Sequence, residues 1–189
     1  MGNGPEPLGA GFDDVLRAAR ANAPWAFERL YDTLAPSVAG YLRLRGADDP
    51  EGVTNEVMLG VFRGLGGFEG DEPGFRSWVF TIAHRRLIDE RRRRAARPRA
   101  DAELTERHDR AAGDVEDEAA ARLGGHRVVT LLDQLTEDQR DVILLRVVGD
   151  LSVEETARVL GKRQGAVKML QRRGLTTLRR ILEQEGVTS

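Results

Sequence analysis

Apolar residues return every three or four positions along nearly the whole chain, and no stretch sustains the period-two alternation of a half-buried strand. That spacing lines up side chains on one stripe of a helix and scatters them over both faces of a strand, so it predicts an all-α fold. The stripes are short and punctuated. One runs from Phe12 to about Arg20 and ends before Asn22-Ala23-Pro24. The next starts at Pro24 and carries Phe27, Leu30, Tyr31, Leu34, Val38, Tyr41 and Leu42, with Pro36 as the residue able to kink it. Asp49-Pro50 supplies a cap and a first-turn proline for a third helix through Val53, Val57, Val61, Phe62 and Leu65, whose end Gly60, Gly64, Gly66 and Gly67 loosen. After a loop from Gly66 to Gly74, a fourth helix spans about Phe75 to Arg94. Periodicity resumes at Val128, followed by two capping boxes, Thr136 with Gln139 and Ser152 with Glu155. A last helix starts near Gln164 and passes Leu182, with an interruption at Gly174. The architecture expected is two small helical domains, residues 12–95 and 125–185. A flexible acidic linker over 96–124 joins them, and a flexible Gly/Pro-rich tail over 1–11 precedes them.

The net charge of −2 conceals a strong pattern. From Arg85 to Arg99 eight arginines face two acids; from Asp101 to Glu118 eight acids face two arginines; from Lys162 to Arg180 seven basic residues face no acid. Two cationic blocks separated by an anionic one point to a polyanionic partner. The absence of cysteine excludes disulfides, thiolate zinc sites and a cysteine nucleophile. No run of about 18 apolar residues exists, so no membrane insertion is expected, and a cytoplasmic location fits. His84 with Asp89 and Glu90 does not share one helix face, and His108 and His126 fall outside the two domains, so neither a metal nor another cofactor is expected. No arrangement of catalytic residues is recognisable, so the chain is not expected to be an enzyme. Trp25 and Trp78 read as core anchors more readily than as functional aromatics.

Leu151 to Gly174 has the layout of a helix-turn-helix: a capped helix, a turn at Gly161-Lys162-Arg163, and a second helix from Gln164. Small Ala157 permits close approach, while Leu160, Val167 and Leu170 form a shared core. Polar positions then remain for DNA: Lys162, Arg163, Gln164, Lys168, Gln171, Arg172 and Arg173. Gln and Arg suit the edges of adenine and guanine, and Lys and Arg neutralise phosphates. The bland alternative, a helical hairpin with a solvated basic face, accounts poorly for nineteen residues without one acid. The arginines from Arg85 to Arg94 continue a helix whose other face is apolar. Alone they would equally suit a solvated face or a general RNA-binding patch.

The segment Phe75-Arg76-Ser77-Trp78-Val79-Phe80-Thr81-Ile82-Ala83-His84, with its arginine-rich continuation, resembles region 2 of extracytoplasmic-function sigma factors of the sigma-70 family. Leu135-Thr136-Glu137-Asp138-Gln139-Arg140-Asp141-Val142, Leu151-Ser152-Val153-Glu154-Glu155-Thr156-Ala157 and Gly165-Ala166-Val167-Lys168 resemble region 4. The likeness spans about Phe12 to Leu182, in the family's order.

The resemblance implies a factor that binds core RNA polymerase, at the β′ clamp helices and the β flap, and directs it to promoter DNA. Asn55, Glu56, Leu59 and Phe62 match the polymerase-docking helix, although Gly52-Val53-Thr54-Asn55-Glu56 departs from the family's acidic-Leu-Val-Gln-Glu run. Phe68, Arg76, Trp78, His84, Arg85, Arg86 and Arg91 match the part that captures and melts the −10 element. The helix from Gln164 matches the −35 reader, with Met169-Leu170 where Ser-Arg is common. The acidic linker would thread the polymerase's RNA exit path, and an anti-sigma partner is implied by the family alone. Two alternatives remain open at this stage: a stand-alone helix-turn-helix regulator, and an adaptor whose arginine helix binds RNA or acidic proteins.

Overall fold

A computed structural model describes residues 8, 11–96, 127–184 and 186, and all regular structure among them is helical. Residues 97–124 of the expected linker, His108 and His126, and all of the expected tail except Leu8 and Gly11 lie outside the described residues. Helix α1 (Phe12–Arg20) begins with Asp13 and Asp14 and ends with Arg17 and Arg20, charges that complement its dipole. Asn22, at φ 59°, turns the chain into α2 (Pro24–Leu44), which starts on a proline and runs unbroken through Pro36. Helix α3 (Pro50–Gly64) is capped as expected: the Asp49 carboxylate accepts from the Gly52 amide at 2.8 Å. A single 3-10 turn (Leu65–Gly67) leads to α4 (Glu72–Ala96).

Leu8 corrects part of the tail expectation. It is buried, and its amide donates to Glu72 Oε1 at 2.7 Å, tying the N-terminal side of α1 to the start of α4.

The second half is built from α5 (127–133), α6 (Glu137–Val147), α7 (Val153–Leu160) and α8 (Gln164–Gln184). Both capping boxes form, at Thr136–Gln139 and Ser152–Glu155. Asp150, at φ 52°, follows the end of α6, and Gly161, at φ 62°, ends α7. Gly174 does not interrupt α8. The helix passes straight through it, because the missing Cβ makes room for Ile143, whose Cδ1 would lie 2.6 Å from one.

The two halves are packed together. The apolar core of α1–α4, centred on Leu30, Val38, Tyr41, Val57, Phe75, Val79 and Phe80, continues into Leu144, Leu145, Leu151 and Val159. Only Val142, Ala157 and Val167 form a separate small core inside the helix-turn-helix. Glycines set the seam: a Cβ on Gly40 would lie 3.5 Å from Val148, and one on Gly149 would lie 3.3 Å from the Phe80 ring.

Candidate nucleic-acid and polymerase interface

In the C-terminal half, α7 and α8 make the predicted helix-turn-helix. Val167 and Ala157 are buried between them with Val142, and the left-handed Gly161 sets the turn. The opposite face of α8 is left to solvent. Arg163, Gln164, Lys168, Arg172 and Arg173 are exposed and Gln171 is half-buried. Lys162 is drawn back, its Nζ 2.9 Å from Asp138. Lys168, Gln171, Arg172, Leu175, Thr176 and Arg179 line a shallow groove of about 480 Å³ along this face. Its lining mixes aliphatic Leu175 with the cationic Lys168, Arg172 and Arg179, a surface suited to sugar-phosphate and base edges.

In the N-terminal half, the loop after α3 is held by an aromatic cluster. Phe68 stacks on Trp78 at 5.3 Å between ring centroids and meets Phe75 edge-on at 5.0 Å. Arg20 donates Nε to the Leu65 carbonyl at 3.2 Å and a second N–H to the Phe68 carbonyl, so α1 clamps the backbone of the same loop. Gly64 leaves room here for Trp78, since a Cβ on it would come within 2.8 Å of the indole ring and force it to shift. A glycine that costs helix propensity therefore gives the indole its seat.

The site residues named for the −10 element divide into three sets. Phe68 and Arg76 are buried, Trp78 is half-buried, and Arg76 lies 3.9 Å from Glu72. Arg85 and Arg86 are exposed on α4, Arg86 at 3.8 Å from Glu56. His84 and Arg91 lie at the seam between the halves. Arg91 Nη1 donates to Glu137 at 2.8 Å and Nη2 donates to the Arg45 carbonyl. His84 joins a buried network with Tyr41 and Asp141. The Tyr41 hydroxyl lies 2.8 Å from His84 Nδ1 and donates to Asp141 Oδ1 at 3.2 Å. Having given its one proton to the carboxylate, the phenol accepts from Nδ1–H, which assigns the His84 tautomer. Burial, then the Asp141 charge, hold the Tyr41 pKa well above its usual value, so it remains a donor. His84 is pushed below its usual pKa, chiefly by burial.

The α3 face is open. Asn55, Glu56 and Leu59 are exposed, and Phe62 is half-buried with its ring edge-on to Phe27 at 4.9 Å. Tyr31 of α2 donates its hydroxyl to Asn55 Oδ1 at 2.8 Å and is itself exposed. Trp25 is 54% exposed, which corrects its reading as a core anchor: at the first turn of α2 it projects away from the packed stripe.

Both halves have counterparts. A sigma-70 region 2 family model matches residues 30–97, and a sigma-70, region 4 model matches residues 125–178. The ECF RNA polymerase sigma factor SigK of Mycobacterium tuberculosis H37Rv is 31% identical over 183 residues, covering 95% of this chain and 98% of its own. The chain belongs to the ECF family of RNA polymerase sigma factors. Sigma factors direct transcription initiation, and this function displaces the repressor and adaptor alternatives. The ECF RNA polymerase sigma factor BldN of Streptomyces coelicolor is 33% identical over 179 residues; the match covers 92% of this chain but 66% of BldN. Among solved structures, CnrH in complex with the cytosolic domain of CnrY aligns with a TM-score of 0.66 and 26% identity, covering 90% and 96% of the two chains.

In this sigma factor, the region 2 match runs from Leu30 in α2 through α4, and the region 4 match covers α5 to α7 and α8 as far as Leu178. Sequence reasoning missed Tyr31, Arg20 and the seam residues Tyr41, Arg45, Glu137 and Asp141. Arg45 is 1% exposed; its Nε lies 2.6 Å from Asp141 Oδ1 and its Nη2 donates to Oδ2 at 3.2 Å. One signal was available for Asp141, which sits directly before the apolar run Val142-Ile143-Leu144-Leu145. A carboxylate at the edge of a core needs a partner, and no basic residue sits three or four positions away on the same helix face.

Proposed function

We propose that this ECF sigma factor loads onto core RNA polymerase through α3 and reads promoters at two points. Region 2 captures and melts the −10 element, and α8 reads the −35 element in the major groove. The observation that carries this reading is the joint presence of an exposed cationic α8 face, free of acid as far as Arg180, and a cationic α4 continuing from a caged aromatic cluster. A helix of that charge suits phosphates on either side of a major groove. A strand with splayed bases needs aromatic surface and nearby cations, because unstacking costs a few kcal/mol per base. Phe68, Trp78 and Arg76 then shape the wall of the −10 pocket from inside, while Arg85, Arg86, Arg91 and His84 serve the backbone. Exposure of Asn55, Glu56 and Leu59 supports docking on the β′ clamp helices, with Tyr31 of α2 hydrogen-bonded to Asn55 beside them. Region 4 would meet the β flap.

The chemistry of RNA synthesis belongs to polymerase, and this chain contributes positioning and strand separation. An anti-sigma partner fits the same reading, since the similar CnrH was solved in complex with the cytosolic domain of CnrY. No described helix is long and apolar enough to cross a membrane, and a cytoplasmic place of action follows from a polymerase partner.

Run-off transcription from a pool of genomic fragments, with bacterial core polymerase and with or without this protein, tests the reading. Discrete new start sites are expected, and aligning them yields both promoter elements. A protein that fails to bind polymerase at all would contradict it.

A further inference from the structure

We propose that α6 is an internal latch: Asp141 of region 4 pairs with the buried Arg45 of region 2, and Glu137 occupies Arg91, a cation that the −10 strand would otherwise engage. This rests on the assignment of Arg91 to that strand. Among the described residues, the hydrogen bonds and ion pairs of the Asp141 carboxylate all run to region 2: Arg45 at 2.6 Å, Tyr41 at 3.2 Å and His84 at 4.0 Å. Glu137 adds Arg91 at 2.8 Å and Arg45 at 4.0 Å. None of these contacts supports the helix-turn-helix, whose own small core is Val142, Ala157 and Val167.

The pairing has the character of a closure rather than a surface accident. Asp141 is 6% and Arg45 1% exposed, and charges buried to that degree are tolerated only when paired. When the regions part, all of these groups can return to water, so the pair is needed only in the closed form. Around it the seam is close-packed, through Gly40 against Val148 and Gly149 against Phe80. The Glu137 carboxylate on Arg91 offers the same chemistry as a backbone phosphate, so strand and latch compete for that guanidinium. The latch is selective. Asn55, Glu56 and Leu59 of α3, and Lys168 and Arg172 of α8, remain exposed while it is shut. The closed protein can therefore meet polymerase before Arg91 is freed for the strand.

The chain has no cysteine, so an engineered pair reports without interference. Gly40→Cys combined with Val148→Cys places two thiols across the seam, where a Cβ on residue 40 lies 3.5 Å from Val148 Cγ1, within reach of a disulfide. The oxidised full chain is expected to give at least about tenfold fewer run-off transcripts with core polymerase than the same protein after dithiothreitol. In the opposite direction, Asp141→Asn leaves Arg45 uncompensated in the closed form. It is expected to tighten binding of the free full chain to a labelled mixed-sequence single-stranded DNA by about tenfold, with helical circular dichroism unchanged. The latch is overturned if the disulfide fails to form in a protein of wild-type circular dichroism, or if oxidised and reduced proteins transcribe equally. Unchanged strand affinity in a folded Asp141→Asn protein overturns it as well. Wild-type protein that binds polymerase yet yields no transcripts would instead count against the sigma reading beneath it.

Discussion

Gly64 and Gly161 show how one residue type serves two physical needs. Gly64 is required by its neighbour: a Cβ there meets the Trp78 ring at 2.8 and 2.9 Å. Gly64→Ala should cost about 1–3 kcal/mol through displacement of the Phe68–Trp78 stack, against a gain of about 1 kcal/mol in helix propensity. Urea unfolding and indole fluorescence in a Trp25→Phe background would measure both effects, and unchanged emission would contradict the packing argument. Gly161 has open space around it but a φ of 62°. Gly161→Ala should therefore lose about 1 kcal/mol from backbone strain alone, with no change in side-chain packing. On α8, Arg172→Ala should relax promoter selectivity, whereas Lys168→Ala should weaken binding evenly across sequences if it serves a phosphate. Binding to a promoter panel at fixed salt separates the two, and equal effects on every promoter from both changes would contradict the division.

At the level of helices, the sequence was most informative where local chemistry suffices. The two capping boxes need only residues three apart and appear as expected: Gln139 N lies 3.4 Å from Thr136 Oγ1, and Glu155 N 3.1 Å from Ser152 Oγ. Thr136→Ala and Ser152→Ala should each lower stability by about 1 kcal/mol, read from thermal unfolding. Local chemistry failed where the partner is distant. Gly174 looked like a break in α8 because glycine is a poor helix former, yet Ile143 of α6 approaches so closely that glycine suits the position. Trp25 looked like a core residue by type, but its place at the start of α2 leaves it exposed.

For the molecule as a whole, joining the halves makes DNA binding conditional. The free protein should bind promoter duplex weakly and with steep salt dependence, and tight sequence-specific binding by the isolated protein would count against this. Closure should also depend on pH. In the seam the His84 pKa is lowered: burial is the main cause, Asp141 opposes it, and Arg45, Arg91 and Lys162 add to it. When the regions part, His84 returns towards its ordinary value of about 6.5, so the closed form binds fewer protons than the open one. Closure is therefore at full strength above about pH 6.5 and weakens as pH falls below that value through the depressed one. The rate at which the cysteines of Gly40→Cys/Val148→Cys react with a dye should rise between about pH 7 and pH 5.5, once corrected for thiolate fraction. A corrected rate that falls would reverse the sign and refute the argument.

Helix periods, caps, the helix-turn-helix and the cationic blocks were legible in the sequence because each depends on residues within a turn or two of one another. The exposed face of α8 could be anticipated for the same reason, since one helix with one apolar stripe leaves its other side free. The contact between regions 2 and 4 could not. It rests on Tyr41, Arg45, His84 and Asp141, which are as many as 100 residues apart, and on glycines whose value lies in what approaches them. An acid set against an apolar run says that a partner is needed; only the packed molecule shows that the partner is the other region.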